Sequence, residues 1–553
     1  MKESKHFIEN IIEEDLSSGV QKKDLKFRFP PEPNGFLHIG HVKAIWINFN
    51  LAQKYSSPVV LRFDDTNPEK EEQKYIDAIK EDVKWLGYTW KEERYASDYF
   101  TQLHSWANTL IKQGLAYVDS QTSDTIADQK GTPIKAGKNS PYRNRPVEEN
   151  IDMFSKMTNG TYNEGEHVLR AKIDMASSNM LMRDPVIYRV LKKSHPRTKE
   201  KWKVYPMYDW AHGQSDYIEQ ITHSLCTLEF KPHRELYDWF LDKLVEPNKI
   251  RPKQREFARL NLSHTITSKR KLMFLVEKGV VSGWDDPRMP TISGLRRRGY
   301  PPSALREFVR LAGVAKRENI IEASLLEFCA REELNKTSNR VMVVTNPLKL
   351  TITNYPSDDD EIVLSENNPE NPNAGERELP FGKEIYIEKE DFKLEANRKY
   401  FRLTIGKEVR LKSAYIIKAN EVIFDNQNNI KEVLCTYDPK SKSGSGTEES
   451  QRKVKGTLHW VSKKASVKVK VNEYDRLFEH PSPATAQNED ELLKMVNPES
   501  SKSCFAQAEP SLLKAKKGDK FQFQRKGYFI VDNDTPSLMV FNKTVGLRDN
   551  WKK

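Results

Sequence analysis

Apolar residues recur at Val42, Ile45, Trp46 and Phe49, the i, i+3, i+4, i+7 spacing that predicts a helix with one buried face. Just before it, Lys26-Phe27-Arg28-Phe29 reads as a strand, and Pro58-Val59-Val60-Leu61-Arg62-Phe63 as a second, fully buried one, so the three segments predict a βαβ unit. Asp64 and Asp65 then fall at the carboxyl end of the second strand, where ligands of open α/β sheets bind. A further helix is predicted from Asn67-Pro68 through Tyr75, Ile76, Ile79, Val83 and Leu86 to a stop at Gly87. From about 100 to 205 the pattern turns mixed and polar, with a turn-rich stretch from Gly131 to Lys138 and a basic loop carrying Lys192, Lys193, Arg197, Lys199, Lys201 and Lys203. The α/β pattern resumes near Tyr205, and Gly294 to Glu333 reads as helical and basic, with Arg296, Arg297 and Arg298 placed to face phosphates or to form a solvated charged face. After about 336 alternation takes over, as in Leu348, Leu350, Ile352 and in Val467, Val469, Val471, which predicts short strands of β-barrels. The segments Ser357 to Pro380 and Ser441 to Ser450 read as long exposed loops, and no internal repeat is found.

A chain of 553 residues exceeds one typical core and predicts several domains. Lys and Arg number 90 against 79 Asp and Glu, a formal net charge of +11, so the surface suits a polyanion such as RNA. Cys226, Cys329, Cys435 and Cys504 are widely separated and include no Cys-x-x-Cys pair, which indicates neither a zinc site nor a disulfide framework. No apolar run is long enough to span a bilayer, and Met1-Lys2-Glu3-Ser4-Lys5 has no signal-peptide core. A cytoplasmic protein is the default expectation.

The chemistry concentrates in Pro30-Pro31-Glu32-Pro33-Asn34-Gly35-Phe36-Leu37-His38-Ile39-Gly40-His41, a loop running from the first strand into the first helix. His38 and His41 are expected to share one face, with Gly40 leaving room for a ligand to approach helix N–H groups that favour anions. Such a site suits phosphate. Far downstream, Arg259-Leu260-Asn261-Leu262 is followed by Thr265-Ile266-Thr267-Ser268-Lys269-Arg270-Lys271. The Pro-Pro-Glu-Pro-Asn-Gly loop, the His-Ile-Gly-His tetrapeptide and the Ser-Lys-Arg-Lys loop together resemble class I aminoacyl-tRNA synthetases of the glutaminyl/glutamyl subgroup, and more narrowly the glutaminyl-tRNA synthetases. Longer blocks in the same order extend the resemblance nearly end to end: Leu61 to Pro68, Tyr205 to Asp209, Thr222 to Phe230, and Trp284 to Tyr300.

The resemblance implies an α/β plus β fold: a Rossmann-type nucleotide-binding catalytic domain in two halves (1–100 and 208–260), an acceptor-stem-binding insertion (101–207), a Ser-Lys loop with a helical stem-contact domain (261–335), and two anticodon-binding β-barrels (336–553). It implies ATP-dependent activation of L-glutamine and transfer to tRNA(Gln) by a monomer, with Mg²⁺ accompanying the ATP phosphates. By the same resemblance His38, His41 and Lys269 are catalytic. ATP would be bound by Glu32, Pro33, Asn34, His38, Ile39, Gly40, His41, Val42, Lys43, Ala44, Thr227, Arg259, Leu260, Thr267, Ser268 and Lys269. Glutamine would be bound by Asp64, Tyr208, Arg28 and Cys226, and the anticodon by Arg340, Arg402, Gln522 and Arg525.

Cys226 stands about where glutamyl enzymes carry an arginine for the γ-carboxylate. A neutral thiol gives a buried carboxylate no partner, at a cost of several kcal/mol, whereas the glutamine amide needs only ordinary hydrogen bonds. A glutamyl enzyme and a catalytically silent tRNA-binding homologue are the alternatives. The chain departs from the family pattern at Ile266-Thr267, where Val-Met is usual, and at Lys399 and Phe401 beside Arg402. Pro133 stands where a leucine wedge is usual, and Pro232 where an acidic residue is expected to read the acceptor stem; either the tRNA has different identity elements near its end, or neighbours such as Ile134 and His233 take over the task.

Overall fold

The computed structural model describes residues 5–548 except 70, 248, 398 and 533–537. These fold as two compact units, one formed by residues 1–261 and 309–321, the other by 262–308 and 322–553.

In the first unit, β1 (Phe27–Phe29), β2 (Val59–Phe63) and β3 (Glu92–Tyr95) form a parallel sheet with β2 central, Phe27 lying opposite Val59 and Val60 opposite Glu92. All five residues of β2 are buried, as expected of a strand paired on both sides and covered by its crossovers. Helix α1 (Ile39–Tyr55) connects β1 to β2, and α2 (Gln73–Trp85) connects β2 to β3. The buried face of α1 is wider than its sequence stripe: Ile39, Ile47 and Leu51 join Val42, Ile45 and Phe49, while Trp46 is only half-buried. Helix α2 starts later than Asn67-Pro68, because the Glu71 carboxylate accepts the Asn67 N–H (2.7 Å) and holds that stretch as a loop. Gly87, at φ +87°, ends it as expected.

Helices α3 (Phe100–Lys112) and α4 (Val147–Thr158) accompany an antiparallel sheet of β4 (Ala116–Asp119), β5 (Val168–Ala171), β6 (Val186–Val190) and β7 (Val204–Pro206) in that order. Phe100, Leu103, Phe154, Leu169, Tyr188 and Tyr205 belong to its core. Parallel pairing returns after α5 (Tyr208–Ile218), with β8 (His223–Thr227), α6 (Arg234–Leu244) and β9 (Lys253–Phe257). Thr222 ties β8 to β1: its hydroxyl accepts the Lys26 N–H (3.1 Å) and its own N–H donates to the Lys26 carbonyl (3.1 Å).

In the second unit, α7 (Lys269–Glu277) packs Leu272, Phe274 and Leu275 with Ile266 against Leu477, Phe478 and Leu492. The basic stretch from 294 to 333 is broken into α8 (Ile292–Arg298), α9 (Pro302–Ala312) and α10 (Ala323–Thr337), with Gly299 at φ +101° stopping α8. Two seven-stranded sheets follow. The edge strands of one are Asn339–Val341 and Val343–Val344, joined through Met342; those of the other are Thr457–Leu458 and Val461–Ser462, joined through His459-Trp460. Each sheet therefore curls until its two edges are neighbouring pieces of one chain, which protects them. Along 341–344 the alternation serves two cores: Val341 and Val343 enter one barrel, Met342 and Val344 the other. The stretch 357–380 is not simply a loop, since Glu361–Glu366 pairs antiparallel with Glu376–Phe381.

Candidate active site

His38 does not share the helical face of His41; it is the N-cap of α1, with extended backbone (φ −123°, ψ 174°). Its Nδ1 accepts the Gly40 N–H (3.1 Å), and the Nδ1 of His41 reaches back to accept the His38 N–H (3.1 Å). Two imidazoles thus build a reciprocal cap of the kind usually made by a hydroxyl and a carboxylate, with ring centroids 3.9 Å apart. Because both Nδ1 atoms are acceptors, each neutral ring carries its proton on Nε2 and can donate from there. Gly40 has a steric role: a Cβ there would lie 2.9 Å from His38 Cε1.

The same Cβ would lie 4.0 Å from the Leu260 carbonyl, so the chain beyond β9 reaches the α1 N-terminus. The Leu260 side chain is buried, whereas Arg259 is exposed and faces Glu229 and Glu318, each at 3.8 Å. Thr227 donates to Glu229 (2.7 Å). Ile39, Val42 and Lys43 point inward, whereas His38, Gly40, His41 and Ala44 are only half-buried. Burial, partly offset by the charge of Glu318, lowers the Lys43 amine to about 8. Ahead of the helix, Asn34 donates to the exposed Glu32 (2.5 Å) while Pro33 is buried.

Beside this turn a cavity of 280 Å³ is lined by Glu32, Asn34, Asp64, Thr66, Glu71, Arg189 and Tyr208 among others. Asp64 is 7% exposed, and its buried Oδ1 has no hydrogen-bond donor. Burial, reinforced by the Glu32 charge and opposed by Arg62, raises Asp64 to about 7. Tyr208 stacks on His212 (5.0 Å, 17°), and burial with the nearby Asp64 charge pushes its phenol well up.

Arg28 lies beneath this pocket, fully buried and outside its lining. Its guanidinium donates to Asp216 (3.0 Å), the Leu225 carbonyl (2.7 Å), Ser224 Oγ (2.8 Å) and His212 Nε2 (3.2 Å), so it acts on the site through those neighbours. Asp216 also accepts from Arg62 (2.8 Å), which in turn donates to Glu219 (2.8 Å). Burial alone would raise Asp216, but the two guanidinium groups hold it far below the carboxylate range. Burial, against the pull of Asp216, drives His212 down to about 3, so it stays neutral and accepts from Arg28. Sequence reasoning missed Asp216, His212 and Ser224; the signal available was two arginines in strands otherwise apolar, each needing a buried anion. Cys226 lies in β8 next to this network, its Sγ 3.9 Å from the Arg255 carbonyl, and burial pushes its thiol far up. It stays neutral.

Among the described residues, Asp65, Glu71 and His195 form the one cluster with metal-ligand spacing, all three buried. Its chemistry does not suit a metal. His195 donates from Nε2 to the Asp65 carbonyl (2.8 Å) and accepts the N–H groups of Arg197 and Thr198 at Nδ1 (3.1 Å each), which leaves no lone pair for an ion. Burial and the Asp65 charge raise Glu71 to about 9, so that carboxyl is protonated at neutral pH.

In the second unit, Ser268 is the exposed N-cap of α7 and Lys269 its first residue. The buried Ile266 anchors the loop, with Thr267 half-buried. The anticodon candidates are held by structure: Arg340 is 5% exposed and donates to the carbonyls of Asn335 (2.7 Å) and Ser338 (2.8 Å). Arg402 (2.8 Å) and Arg525 (2.5 Å) share the buried Asp391, and Gln522 donates to the Tyr528 hydroxyl (3.1 Å). Arg402 and Arg525 keep part of their surface exposed.

Residues 24–336 match the family model of the class I tRNA synthetases (E and Q), catalytic domain. Residues 338–438 and 457–532 match two models of the anti-codon binding domain of the same synthetases. A glutamine–tRNA ligase of Salmonella choleraesuis (strain SC-B67) is 52% identical over 99% of this chain and 98% of its own length. One from Bradyrhizobium diazoefficiens is 51% identical over 99% and 97%. Among solved structures, a glutamate tRNA ligase from Elizabethkingia meningosepticum in complex with its amino acid aligns with 57% of this chain and 71% of its own, at 19% identity and a TM-score of 0.44.

Proposed function

The chain belongs to the class I aminoacyl-tRNA synthetases of the glutamate and glutamine group, and from that premise we propose that it activates L-glutamine with ATP and transfers it to tRNA(Gln). It is an aminoacyl-tRNA ligase. The observation that carries the glutamine assignment is the 52% identity, over 99% of the chain, to a glutamine–tRNA ligase. The neutral Cys226 thiol supports it chemically, since it offers a γ-carboxylate no charge.

In the first step a carboxylate oxygen of glutamine attacks the α-phosphorus of ATP, and the bond to pyrophosphate breaks. The Nε2–H groups of His38 and His41 donate to the phosphates at the positive end of α1, where charge builds in the transition state. Lys269 supplies a cation for the departing pyrophosphate. One preorganised donor of this kind contributes about 3 kcal/mol. Mg²⁺, an oxygen-seeking cation, would accompany the ATP phosphates and would add charge neutralisation there, while the histidines contribute N–H donors. The unpartnered Asp64 oxygen takes the α-ammonium of glutamine, and Tyr208 lines the same cavity. In the second step a hydroxyl of the terminal tRNA ribose attacks the adenylate carbonyl; an ester forms and AMP leaves.

Residues 101–207 grip the acceptor end in this reading. There Pro133 and Ile134 form the turn of a tight hairpin closed between Thr132 and Lys135, with the Ile134 side chain 99% exposed, so the apolar contact passes from the leucine position to its neighbour. At the other departure, the Pro232 carbonyl is taken by Asn179 (2.9 Å), and His233 pairs with Asp209 (2.5 Å). The catalytic half is a Rossmann-type domain, 261–335 contacts the stem, and the two barrels read the anticodon. No helix among the described residues is long and apolar enough to cross a membrane. The enzyme works as a cytoplasmic monomer in this account.

Aminoacylation of total tRNA with labelled glutamine against labelled glutamate tests the reading. Charging by glutamine alone is the expected result. Charging by glutamate moves the chain to the glutamyl branch, and tRNA binding without charging makes it a silent homologue.

A further inference from the structure

The paired strands Glu361–Glu366 and Glu376–Phe381 form a two-stranded ribbon with two unlike faces. The inner face is anchored. Val363, Leu379 and Phe381 enter the core of one barrel, and Arg377 donates a fork to the buried Glu509 (2.6 and 3.1 Å), whose carboxylate also accepts the Met342 N–H (2.7 Å). The period of two puts Ile362, Leu364 and Glu366 on the outer face, opposite Pro380, Glu378 and Glu376. A ribbon covered on one side is expected to be polar on the other. Here Ile362 is 49% and Leu364 56% exposed, so one end of the outer face is apolar and open to solvent, a liability for aggregation. The other end carries a second cost. Glu366 stands directly opposite Glu376, a like-charge pair that weakens a ribbon, and among the described residues none of these three glutamates has an ion-pair partner.

We propose that this outer face is a docking surface for a cationic amphipathic helix of a partner protein. A helix is what covers a bare sheet face inside a domain. The apolar stripe of such a helix would bury Ile362, Leu364 and Pro380 while its lysines reach the three carboxylates beside them. Both costs are relieved on binding. The anchored inner face helps, because a preorganised surface has little ordering left to undergo. Charge also sets this face apart from any RNA-binding one: on a chain of net charge +11, three unpaired carboxylates repel a phosphate backbone and attract a cation. Such docking is independent of the glutamine chemistry.

The test titrates the full-length protein with a fluorescent helical peptide of leucine and lysine at amphipathic spacing. Two control peptides carry glutamate for every lysine, or serine for every leucine. Expected is binding at least about tenfold tighter than to either control. Ile362→Thr/Leu364→Thr and Glu366→Gln/Glu376→Gln/Glu378→Gln should each weaken it about tenfold, the second with a shallower salt dependence. Threonine keeps strand propensity and glutamine removes the Glu366–Glu376 repulsion, so both variants should melt at or above the wild-type temperature. Their kcat and KM values for tRNA, ATP and glutamine should stay within about twofold of wild type. Equal peptide affinity in wild type and both variants would overturn the proposal, because the peptide would then be held elsewhere. So would a tenfold shift of the KM for tRNA in either variant, which would assign the face to RNA. Self-association of the peptide-free wild type that Ile362→Thr/Leu364→Thr abolishes would assign it to a second copy, and overturn the proposal as well.

Discussion

In the proposed reaction Asp64 has to be ionised to hold the ammonium group of glutamine, yet its burial beside Glu32 places its proton affinity near neutrality, at about 7. Below that pH a glutamine has to displace a proton. The KM for glutamine should therefore rise as pH falls through 7, approaching tenfold per unit by pH 6, and initial rates at fixed tRNA and ATP would show it. Linkage has the opposite face: a carboxyl whose folded pKa is raised costs stability as pH rises from its ordinary value near 3.8 toward 7. Asp64→Asn should thus unfold at a higher temperature than wild type at pH 8 while losing glutamine use. A scan showing no gain at pH 8 would mean that the unpartnered oxygen carries no strain. Residues of this kind were half legible in the sequence. Two adjacent aspartates at a strand end pointed to the site, but which one keeps an oxygen without a donor follows from Ser97, whose N–H (2.8 Å) and hydroxyl (2.6 Å) occupy both oxygens of Asp65, whereas Oδ1 of the cavity-lining Asp64 has none.

Helix α1 shows how an element can carry chemistry in its cap. His38 and His41 satisfy orphan N–H groups through Nδ1, and in doing so each ring fixes the proton it presents. Gly40→Ala keeps both histidines and good helix propensity, yet its Cβ would press on the His38 ring at 2.9 Å. Adenylate formation should drop at least tenfold, with a stability loss of about 1 kcal/mol or less, within the range of losing a cap. Pyrophosphate exchange and thermal melting check the two effects separately; wild-type exchange would refute the steric account. The tetrapeptide and its strand-to-helix setting were plain from spacing alone. The cap was not, because helical periodicity assigns both histidines to one face and cannot show that the helix begins after the first. The late start of α2 has a similar origin: Asn67-Pro68 carries a start signal, and a side-chain bond from Glu71 overrides it.

Across the first unit, Asp216 gathers groups from four elements, two of them far along the chain, Arg28 of β1 and Arg62 of β2, and two nearer, Ser224 of β8 and Tyr237 of α6, at 2.6–3.1 Å. The sequence placed the α/β halves on either side of residues 101–207, but it could not show that a buried anion joins them, since partners 150 or more positions apart leave no local pattern. Asp216→Asn leaves two guanidinium groups buried with too little charge to face them, a defect that typically costs 3–5 kcal/mol. Calorimetry should show a melting temperature lower by roughly 6 °C or more; a shift under one degree would mean that water or relaxation replaces the carboxylate. In the second unit the alternation of the β region was legible, whereas the closure of each sheet on itself was not. That closure rests on four consecutive residues, 341–344, whose side chains point by turns into two cores. Inserting or deleting one residue there would exchange the occupants of both interiors at once. Loops of these barrels can drift in length between lineages, but this stretch behaves like a reading frame and should keep its length.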